Sequence, residues 1–282
     1  MPIPAAFDLS GRVAVVTGAG SPDGIGFATA RLLAELGAAV MISATTARIQ
    51  DRVSELRSAG FDAAGIIGDL TDAGVASGLV SAALEQWGRL DIVVNNAGMT
   101  SAANPVYESG TAEAMDLATW QAALARNLTS AFLVTKAALP AMTAHGWGRV
   151  VMVASLTGPV MAIRADVGYA AAKAGMIGLT RAIAVDSAAD GITVNAVAPG
   201  WIASGSWPTA TTAAARPSRP RSSTRSSSRA MHPTRRLLTW SPTWTRSLRS
   251  RTRSGGEPRS ACEAGHEAPV RGRRTHPRYS RA

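Results

Sequence analysis

Short runs of apolar residues recur along roughly the first two hundred positions, and each is followed by a longer stretch with helical spacing of its apolar side chains. The six runs are Val13 to Val16, Ala39 to Ile42, Ala63 to Ile67, Ile92 to Val94, Val150 to Val153 and Ile192 to Val197. Runs that are apolar almost throughout are typical of parallel strands covered on both faces. Strand and helix alternating in this way predict an α/β fold with a doubly wound parallel sheet.

Between the runs, apolar residues spaced by three or four positions predict the buried faces of three helices. The predicted inward stripes are Ile25, Ala28, Leu32 and Leu36 in the first helix, Ile49, Val53 and Leu56 in the second, and Leu79, Ala83 and Leu84 in the third. We expect these helices to cover both faces of the sheet.

The pattern stops after Ser204, and the composition changes with it. Residues 1–206 carry 12 basic and 16 acidic side chains, a net charge of −4, whereas residues 207–282 carry 17 Arg, three Glu and no Lys or Asp, a net charge of +14. The net charge of +10 for the whole chain therefore describes the tail. It excludes the interpretation of the whole chain as a basic nucleic-acid-binding domain.

The tail is rich in Arg, Ser, Thr and Pro, with no Ile or Phe. Such a segment buries too little apolar surface to offset its chain entropy. We predict one domain over residues 1–206 and a disordered tail over residues 207–282. A basic arm that binds nucleic acid or an acidic partner is a less favoured alternative, because the tail has no ordered recognition motif.

The single cysteine, Cys262, excludes a disulfide framework within the chain and thiol chemistry in the body of the protein. The first residues do not resemble a secretory leader, and no run of about 18 apolar residues indicates a membrane span. These features favour a cytoplasmic protein.

A glycine-rich turn follows the first predicted strand. Residues 17–26 read TGAGSPDGIG and lead directly into a helical pattern. Gly18, Gly24 and Gly26 would let the backbone turn tightly and approach a pyrophosphate, which the positive end of the helix at Ile25 would attract. An ordinary strand-to-helix turn without a ligand is the alternative.

The end of the second strand bears on the choice of cofactor. Residues 43–48 read SATTAR, with no carboxylate to bind a ribose hydroxyl. Thr45, Thr46 or Arg48 could bind a 2′-phosphate instead, so NADP(H) is favoured over NAD(H). Arg48 could equally be a solvated residue in the first turn of a helix.

Two further strand ends carry candidate ligand-binding residues. Asp69 follows the third strand, where its carboxylate could accept a hydrogen bond from an adenine amino group or simply form a turn. The sequence NNAG at residues 95–98 ends the fourth strand. Its small residues leave room for a flat ligand, although a tight turn would have the same composition.

The most specific signal is YAAAK, which places Tyr169 and Lys173 one helical turn apart on one face. A nearby ammonium favours the phenolate, so we expect Lys173 to lower the pKa of Tyr169 and make the phenol a usable acid and base. Ser155, at the end of the fifth strand, could bond to a substrate carbonyl oxygen. Asn127 lies in an apolar helix, where its amide needs partners and could anchor a water chain or be a satisfied core residue.

Together these motifs resemble the short-chain dehydrogenase/reductase family, and in particular members similar to 3-oxoacyl-[acyl-carrier-protein] reductase. The resemblance covers residues 7 to about 206 and rests on TGAGSPDGIG, Asp69-Leu70, NNAG, Asn127, Ser155, YAAAK and the sequence NAVAPGWI at residues 195–202. It implies a Rossmann-like fold and an NAD(P)(H)-dependent oxidoreductase that interconverts a ketone and a secondary alcohol. It further implies a homo-oligomer, either a dimer through the helices carrying Asn127 and Tyr169 or a tetramer.

The resemblance also implies a role for each matching residue. Tyr169 would be the general acid and base, Lys173 would hold the nicotinamide ribose, Ser155 would orient the carbonyl and Asn127 would support a proton relay. The implied cofactor-binding residues are Gly18, Gly24, Ile25, Gly26, Asp69, Leu70, Asn96, Ala97, Gly98, Tyr169, Lys173, Pro199, Gly200 and Ile202. No metal site is expected. An apolar substrate cavity is expected around Met99, Leu156, Met161 and Trp201.

The sequence departs from the family pattern in two places. The glycine loop contains an additional Pro22-Asp23, whose carboxylate would repel a phosphate unless it points away or caps the helix. Beyond Ser204, the expected substrate-covering helices and seventh strand are not recognisable. The abrupt change to Arg, Ser, Pro and Thr is what a shifted reading frame in GC-rich DNA would yield, so a catalytically impaired protein is the alternative to an active enzyme.

Overall fold

The computed structural model describes residues 4–100, 103 and 105–202 of the chain, and in this part it has six parallel strands. The strands are β1 (Val13–Val16), β2 (Ala39–Ala44), β3 (Ala63–Ile67), β4 (Ile92–Asn95), β5 (Gly148–Val153) and β6 (Ile192–Val197). They form one sheet in the order β3-β2-β1-β4-β5-β6. The predicted α/β fold is confirmed, and each predicted strand lies within an observed one.

Among the described residues, six α-helices connect the strands: α1 (Ile25–Glu35), α2 (Arg48–Ser58), α3 (Ala73–Trp87), α4 (Leu117–Leu124), α5 (Ser130–His145) and α6 (Val167–Asp186). Helices α1 and α2 pack on one face of the sheet, and α3, α5 and α6 pack on the other. The strand order reverses between β1 and β4. In open sheets of this kind, ligands bind outside the carboxyl ends of the strands at such a reversal.

A buried carboxylate joins the amino-terminal ends of the two central strands, β1 and β4. Asp91 is fully buried and accepts hydrogen bonds from the Val13 backbone N–H, 2.9 Å away, and from the Arg12 and Arg89 guanidinium groups. Burial alone would raise the pKa of Asp91, but these bonds outweigh it and the net pKa is lowered. These contacts therefore tie β1 and β4 together at their amino-terminal ends, opposite the carboxyl ends where the site lies.

The inward face of α1 differs from the predicted one. Phe27, Ala30 and Ala34 are buried, whereas Leu32 is 54% exposed and Ala28 is also exposed. Small alanines let the helix approach the sheet closely, and Gly26 packs directly on Gly18 of the glycine loop. The buried face is therefore the one that carries the alanines, and the prediction that Leu32 points inward is wrong. The stripe predicted for α2 is buried as expected.

Strand β6 is covered on one face only within the part of the chain that the structure describes. Ile192 and Val194 are buried against α6, whereas Thr193, Asn195 and Val197 are exposed. The prediction of covered strands therefore holds in the centre of the sheet and not at this edge. The predicted tail, residues 207–282, lies outside the described residues. Among residues 4–202 that are described, no helix is long and apolar enough to cross a membrane.

Candidate active site

A cavity of about 460 Å³ opens at the carboxyl ends of β1, β2, β4 and β5. Nearly all the predicted site residues line it: Gly18, Gly24, Ile25, Thr45, Asp69, Leu70, Asn96, Ala97, Gly98, Ser155, Tyr169, Lys173, Pro199, Gly200 and Ile202. The predicted substrate-side residues Met99, Leu156, Met161 and Trp201 line the same cavity. Gly26 and Asn127 lie behind this lining.

The glycine loop after β1 leaves no room for side chains. A β-carbon on Gly18 would come within 2.8 Å of the Ala97 α-carbon, and one on Gly26 would come within 2.6 Å of the Gly18 carbonyl oxygen. Gly18 also has a positive φ of 68°, which side chains rarely adopt. A methyl group at either position would thus push the loop away from the protein's own backbone, so glycine holds the loop tight beside the amino end of α1, where a pyrophosphate can bind.

Thr17 and Asn96, at the ends of the two central strands, hold this loop in place. The Thr17 hydroxyl accepts from the backbone N–H groups of Asn96 and Ala97, each at 2.9 Å. The Asn96 side-chain amide donates to the carbonyl oxygens of Thr17 and Gly18, each at 3.0 Å. Asn96 therefore braces the loop, a role that strand-end composition alone did not indicate.

The additional Pro22-Asp23 does not place a charge in the site. Asp23 is exposed and is absent from the cavity lining, and α1 is preceded by Gly24 with no side-chain cap. Of the two arrangements considered for the carboxylate, pointing away is therefore the one observed.

Polar groups without acidic charge surround the far end of the cavity, after β2. Ser43, Thr45, Thr46 and Arg48 all line it. The Ser43 hydroxyl is buried and has no hydrogen-bond partner among the described residues. Buried hydroxyls are normally satisfied, so this one fits a site completed by a polar ligand such as a nucleotide.

Asp69, on the neighbouring strand end, forms a turn. Its carboxylate accepts from the Thr71 backbone N–H at 3.0 Å and from the Thr71 hydroxyl at 2.9 Å. The turn-forming alternative is therefore observed, and Asp69 lines the cavity as well.

Tyr169, Lys173 and Ser155 meet at the inner end of the cavity. Tyr169 lies in the first turn of α6, and the Lys173 Nζ atom is 5.6 Å from the centre of its ring. The Lys173 ammonium is buried and donates to the Val153 carbonyl oxygen at 2.8 Å. Ser155 follows β5 at the same end of the cavity, and its hydroxyl lies close enough to the Tyr169 phenol to favour a lower pKa of that phenol.

The pKa of Tyr169 differs from the expectation that Lys173 would lower it. Burial raises the pKa of Tyr169, and the Asp166 carboxylate adds to that rise, although the nearby Ser155 hydroxyl opposes it. Burial also lowers the pKa of Lys173 to about 8. The expected lowering of the Tyr169 pKa by Lys173 is therefore not seen. Burial of the phenol raises that pKa, and this effect is larger than the attraction from an ammonium that itself loses its proton near pH 8.

Asn127 lies in a π-helical turn, Ala125–Thr129, between α4 and α5. Its carbonyl oxygen accepts from the Met99 backbone N–H at 2.9 Å, and its amide donates to the Ala123 carbonyl oxygen at 3.0 Å. Single π-turns within helices are frequent at functional sites. Asn127 thus fixes the segment after β4 from behind, and its relay role stays a prediction.

Three charged or aromatic residues of the cavity were missed by the sequence analysis: Tyr107, Arg126 and Asp166. Tyr107 donates a hydrogen bond to the Asp166 carboxylate, and its ring centre lies 6.1 Å from that of Tyr169. The scarcity of tyrosine in the body of the chain was the one available signal, since it made both tyrosines unusual.

Comparisons with known proteins agree with this geometry. Residues 12–214 match the family model of the short chain dehydrogenases. The chain is 45% identical to cis-4-hydroxycyclohexanecarboxylate dehydrogenase of Sinomonas cyclohexanicum over 190 residues, which is 67% of this chain and 73% of that protein. It is 38% identical to 3-oxoacyl-[acyl-carrier-protein] reductase of Synechocystis sp. over 197 residues, 69% of this chain and 76% of the relative.

A solved structure is similar as well. A variant of actinorhodin polyketide ketoreductase crystallised with NADPH superposes with a TM-score of 0.63 at 37% identity. The match covers 69% of this chain and 72% of that one.

Proposed function

The chain belongs to the short-chain dehydrogenase family, and from this premise we propose that Tyr169 is the general acid and base of its reaction. The chain is an NAD(P)-dependent oxidoreductase that interconverts a ketone and a secondary alcohol. The observation that carries our assignment is the meeting of Tyr169, Ser155 and Lys173 at one end of the cavity.

The roles follow from the chemistry of each side chain. A bound nicotinamide would supply or accept the hydride. The Ser155 hydroxyl would donate a hydrogen bond to the substrate oxygen and orient it, and the Tyr169 phenol would give that oxygen a proton in reduction or remove it in oxidation. Lys173 would favour the phenolate electrostatically, and Asn127 would hold the segment bearing Met99 in place.

A screen with purified full-length chain tests the function. Ketones and secondary alcohols, including cyclic ketones that differ in charge, would be offered with NADPH, NADH and their oxidised forms, and the absorbance of the reduced nicotinamide would be followed. We expect turnover of at least one ketone–alcohol pair. A folded chain that binds cofactor but turns over no ketone or alcohol would overturn the proposed function.

We further propose that the chain uses NADP(H) in preference to NAD(H). Thr45, Thr46 and Arg48 line the cavity after β2, and no carboxylate from that strand end accompanies them. A guanidinium and two hydroxyls suit a 2′-phosphate, and the missing carboxylate removes a source of repulsion. The NADPH-bound ketoreductase of similar fold is consistent with this preference.

Replacing Arg48 tests this preference. We expect Arg48→Ala to lower kcat/KM for NADPH about tenfold, because a charge-assisted bond to the phosphate is lost. The kcat/KM for NADH should stay within about twofold, since NADH has no phosphate there to lose. Steady-state kinetics with each cofactor measure both effects.

Arg181→Ala is the matched control, because Arg181 is an exposed arginine on α6 outside the cavity. It should leave both values unchanged. A wild-type chain that prefers NADH, or an Arg48→Ala variant that loses both cofactors equally, would contradict the assignment.

We also propose a homo-oligomer that associates through the helices bearing Asn127 and Tyr169. Phe132, near the start of α5, is 41% exposed, and a large aromatic side chain at the surface is well suited to an interface. Light scattering during size-exclusion chromatography should give a mass of two or four chains. A monomer at micromolar concentration would contradict this proposal.

A further inference from the structure

The substrate side of the cavity contains a carboxylate with no cationic partner among the described residues. Asp166 is 4% exposed and lines the cavity just before α6. It stands at the position where a carboxylate commonly caps a helix, yet its side chain makes no capping hydrogen bond. Its Oδ1 atom accepts from the Tyr107 phenol instead.

The other charges nearby are already engaged. Arg126 lines the cavity, but its guanidinium lies 2.6 Å from the Glu108 carboxylate and donates to the Met99 carbonyl oxygen at 2.9 Å. Lys173 donates to the Val153 carbonyl oxygen beneath Tyr169. Within the part of the cavity that the structure describes, a substrate that extends past Tyr169 toward Tyr107 therefore meets a negative charge without an ion-pair partner.

The backbone holds this carboxylate in place. Gly110, in the segment after β4, donates to the Ala165 carbonyl oxygen at 2.9 Å. Ala165 has a positive φ of 58°, a conformation that costs a side-chain-bearing residue about 1 kcal/mol. Strained residues of this kind cluster at functional sites. Asp166 follows this turn directly, and its side chain bonds to Tyr107 and not to the helix end.

The pair also lies close to the reacting group. The rings of Tyr107 and Tyr169 are 6.1 Å apart, centre to centre, and inclined by 56°. Burial, together with the bond to Asp166, raises the pKa of Tyr107, so its phenol stays a hydrogen-bond donor and acceptor. A hydroxyl group on the substrate could donate a hydrogen bond to Asp166, whereas a substrate carboxylate has no proton to donate and would meet a like charge.

We propose that Tyr107 and Asp166 form a specificity pair that selects neutral, hydroxyl-bearing ketones and rejects ketones that carry a carboxylate on the same side. The inference rests on the proposed function, because it assumes that the substrate oxygen is held by Tyr169 and Ser155. Like charges at this range in a largely buried site disfavour binding by tenfold or more.

Two ketones with one ring test the pair: 4-hydroxycyclohexanone, which is neutral, and 4-oxocyclohexanecarboxylate, which is anionic. We expect the full-length chain to favour the neutral ketone in kcat/KM by about tenfold or more at pH 8. Burial raises the pKa of Asp166, so the comparison is made at a pH well above the ordinary range of a carboxyl group. Asp166→Asn keeps the size of the side chain and should bring the two values within about threefold.

The ratio between the two substrates isolates specificity from catalysis. Any effect of Asp166→Asn on the Tyr169 phenol changes both ketones alike and cancels. Asp186→Asn is the matched control, since it removes an exposed carboxylate from the other end of the same helix and should leave the ratio unchanged.

Tyr107→Phe gives a second test that does not depend on how Asp166→Asn folds. Loss of the phenol removes the donor to Asp166 and leaves its charge less screened, so discrimination against the anionic ketone should grow about threefold. Equal use of both ketones by the wild-type chain, or a ratio that neither variant changes, would overturn the specificity pair while the oxidoreductase function stands. Turnover of no ketone in the screen would overturn the proposed function itself.

Discussion

Tyr169→Phe should reduce kcat/KM for ketone reduction about a thousandfold, because it removes the group that exchanges a proton with the substrate oxygen. The change deletes one oxygen atom and keeps the ring, whose packing beside Tyr107 does not depend on the phenol. Folding and cofactor affinity should therefore stay close to the wild type. Initial rates, a thermal melt and a cofactor titration measure the three quantities.

Tyr279→Phe is the control, because it removes the same atom from the third tyrosine of the chain, in the segment after residue 206. It should keep full activity. A Tyr169→Phe variant that retains more than about a tenth of the wild-type kcat/KM would show that the phenol is not the acid and base.

The raised pKa of Tyr169 gives the same assignment a pH signature. Burial keeps the phenol protonated at neutral pH, which is the form that donates to a ketone oxygen. Reduction should therefore be nearly constant around neutrality and fall as pH rises through the Tyr169 pKa, whereas oxidation, which needs the phenolate, should rise with pH.

Local sequence signals predicted the sheet and the tight glycine loop after β1 well, and the reason is physical. A central parallel strand is apolar on both faces, so runs such as Val13–Val16 are distinctive, and a loop without space for a β-carbon must contain glycine at positions such as Gly18. The face of α1 was harder to predict, because alanine packing onto a sheet is decided by the partner surface and not by the hydrophobicity of Leu32.

The substrate side could not be predicted, because its contacts join residues far apart in the chain. Tyr107 and Asp166 are separated by 59 positions, and neither belongs to a motif. Their pairing depends on the strained turn at Ala165 and on the close approach of Gly110. Such turns and approaches have no periodicity that a sequence pattern could reveal.

Most of the expectations about residues 207–282 stay predictions. The matched region extends to residue 214, and the relatives favour an active oxidoreductase over an impaired protein. The disorder of residues 207–282, the domain boundary at Ser206, the shifted reading frame and the cytoplasmic location stay predictions. Sequencing the gene around codons 205–207 tests the reading frame directly.

Lys173→Met should abolish most activity and stabilise the fold. The ammonium is buried and donates to the Val153 carbonyl oxygen and the Met176 sulfur, with no carboxylate beside it among the described residues. Lowering the Lys173 pKa from 10.5 to about 8 corresponds to roughly 3 kcal/mol of desolvation cost at neutral pH. Met removes that cost and leaves the Val153 carbonyl oxygen without its donor, so we expect a net gain of about 2 kcal/mol in the free energy of unfolding.

The gain has a definite dependence on pH. Below pH 8 the folded wild-type chain holds the charged lysine, and the full cost is present. Between pH 8 and 10.5 the folded lysine has lost its proton and the unfolded one has not, so wild-type stability rises with pH and the advantage of Lys173→Met shrinks to nothing. Denaturant unfolding at pH 7 and pH 10, without cofactor, measures this difference.

Lys136→Met is the control, because Lys136 is the other lysine of the chain and is exposed on α5. Lys136 lies one turn from Phe132 of the proposed interface, so unfolding of the variant is compared with that of the wild type in the same oligomeric state. The substitution should change stability by less than about 0.5 kcal/mol and leave activity intact.

For Lys173→Met we expect kcat/KM to fall at least about a hundredfold, since the cation that favours the phenolate is gone. A variant that is inactive and less stable than the wild type at pH 7 would mean that the buried ammonium stabilises the fold. Loss of activity together with a gain in stability would mean that Lys173 destabilises the fold and is required for the reaction.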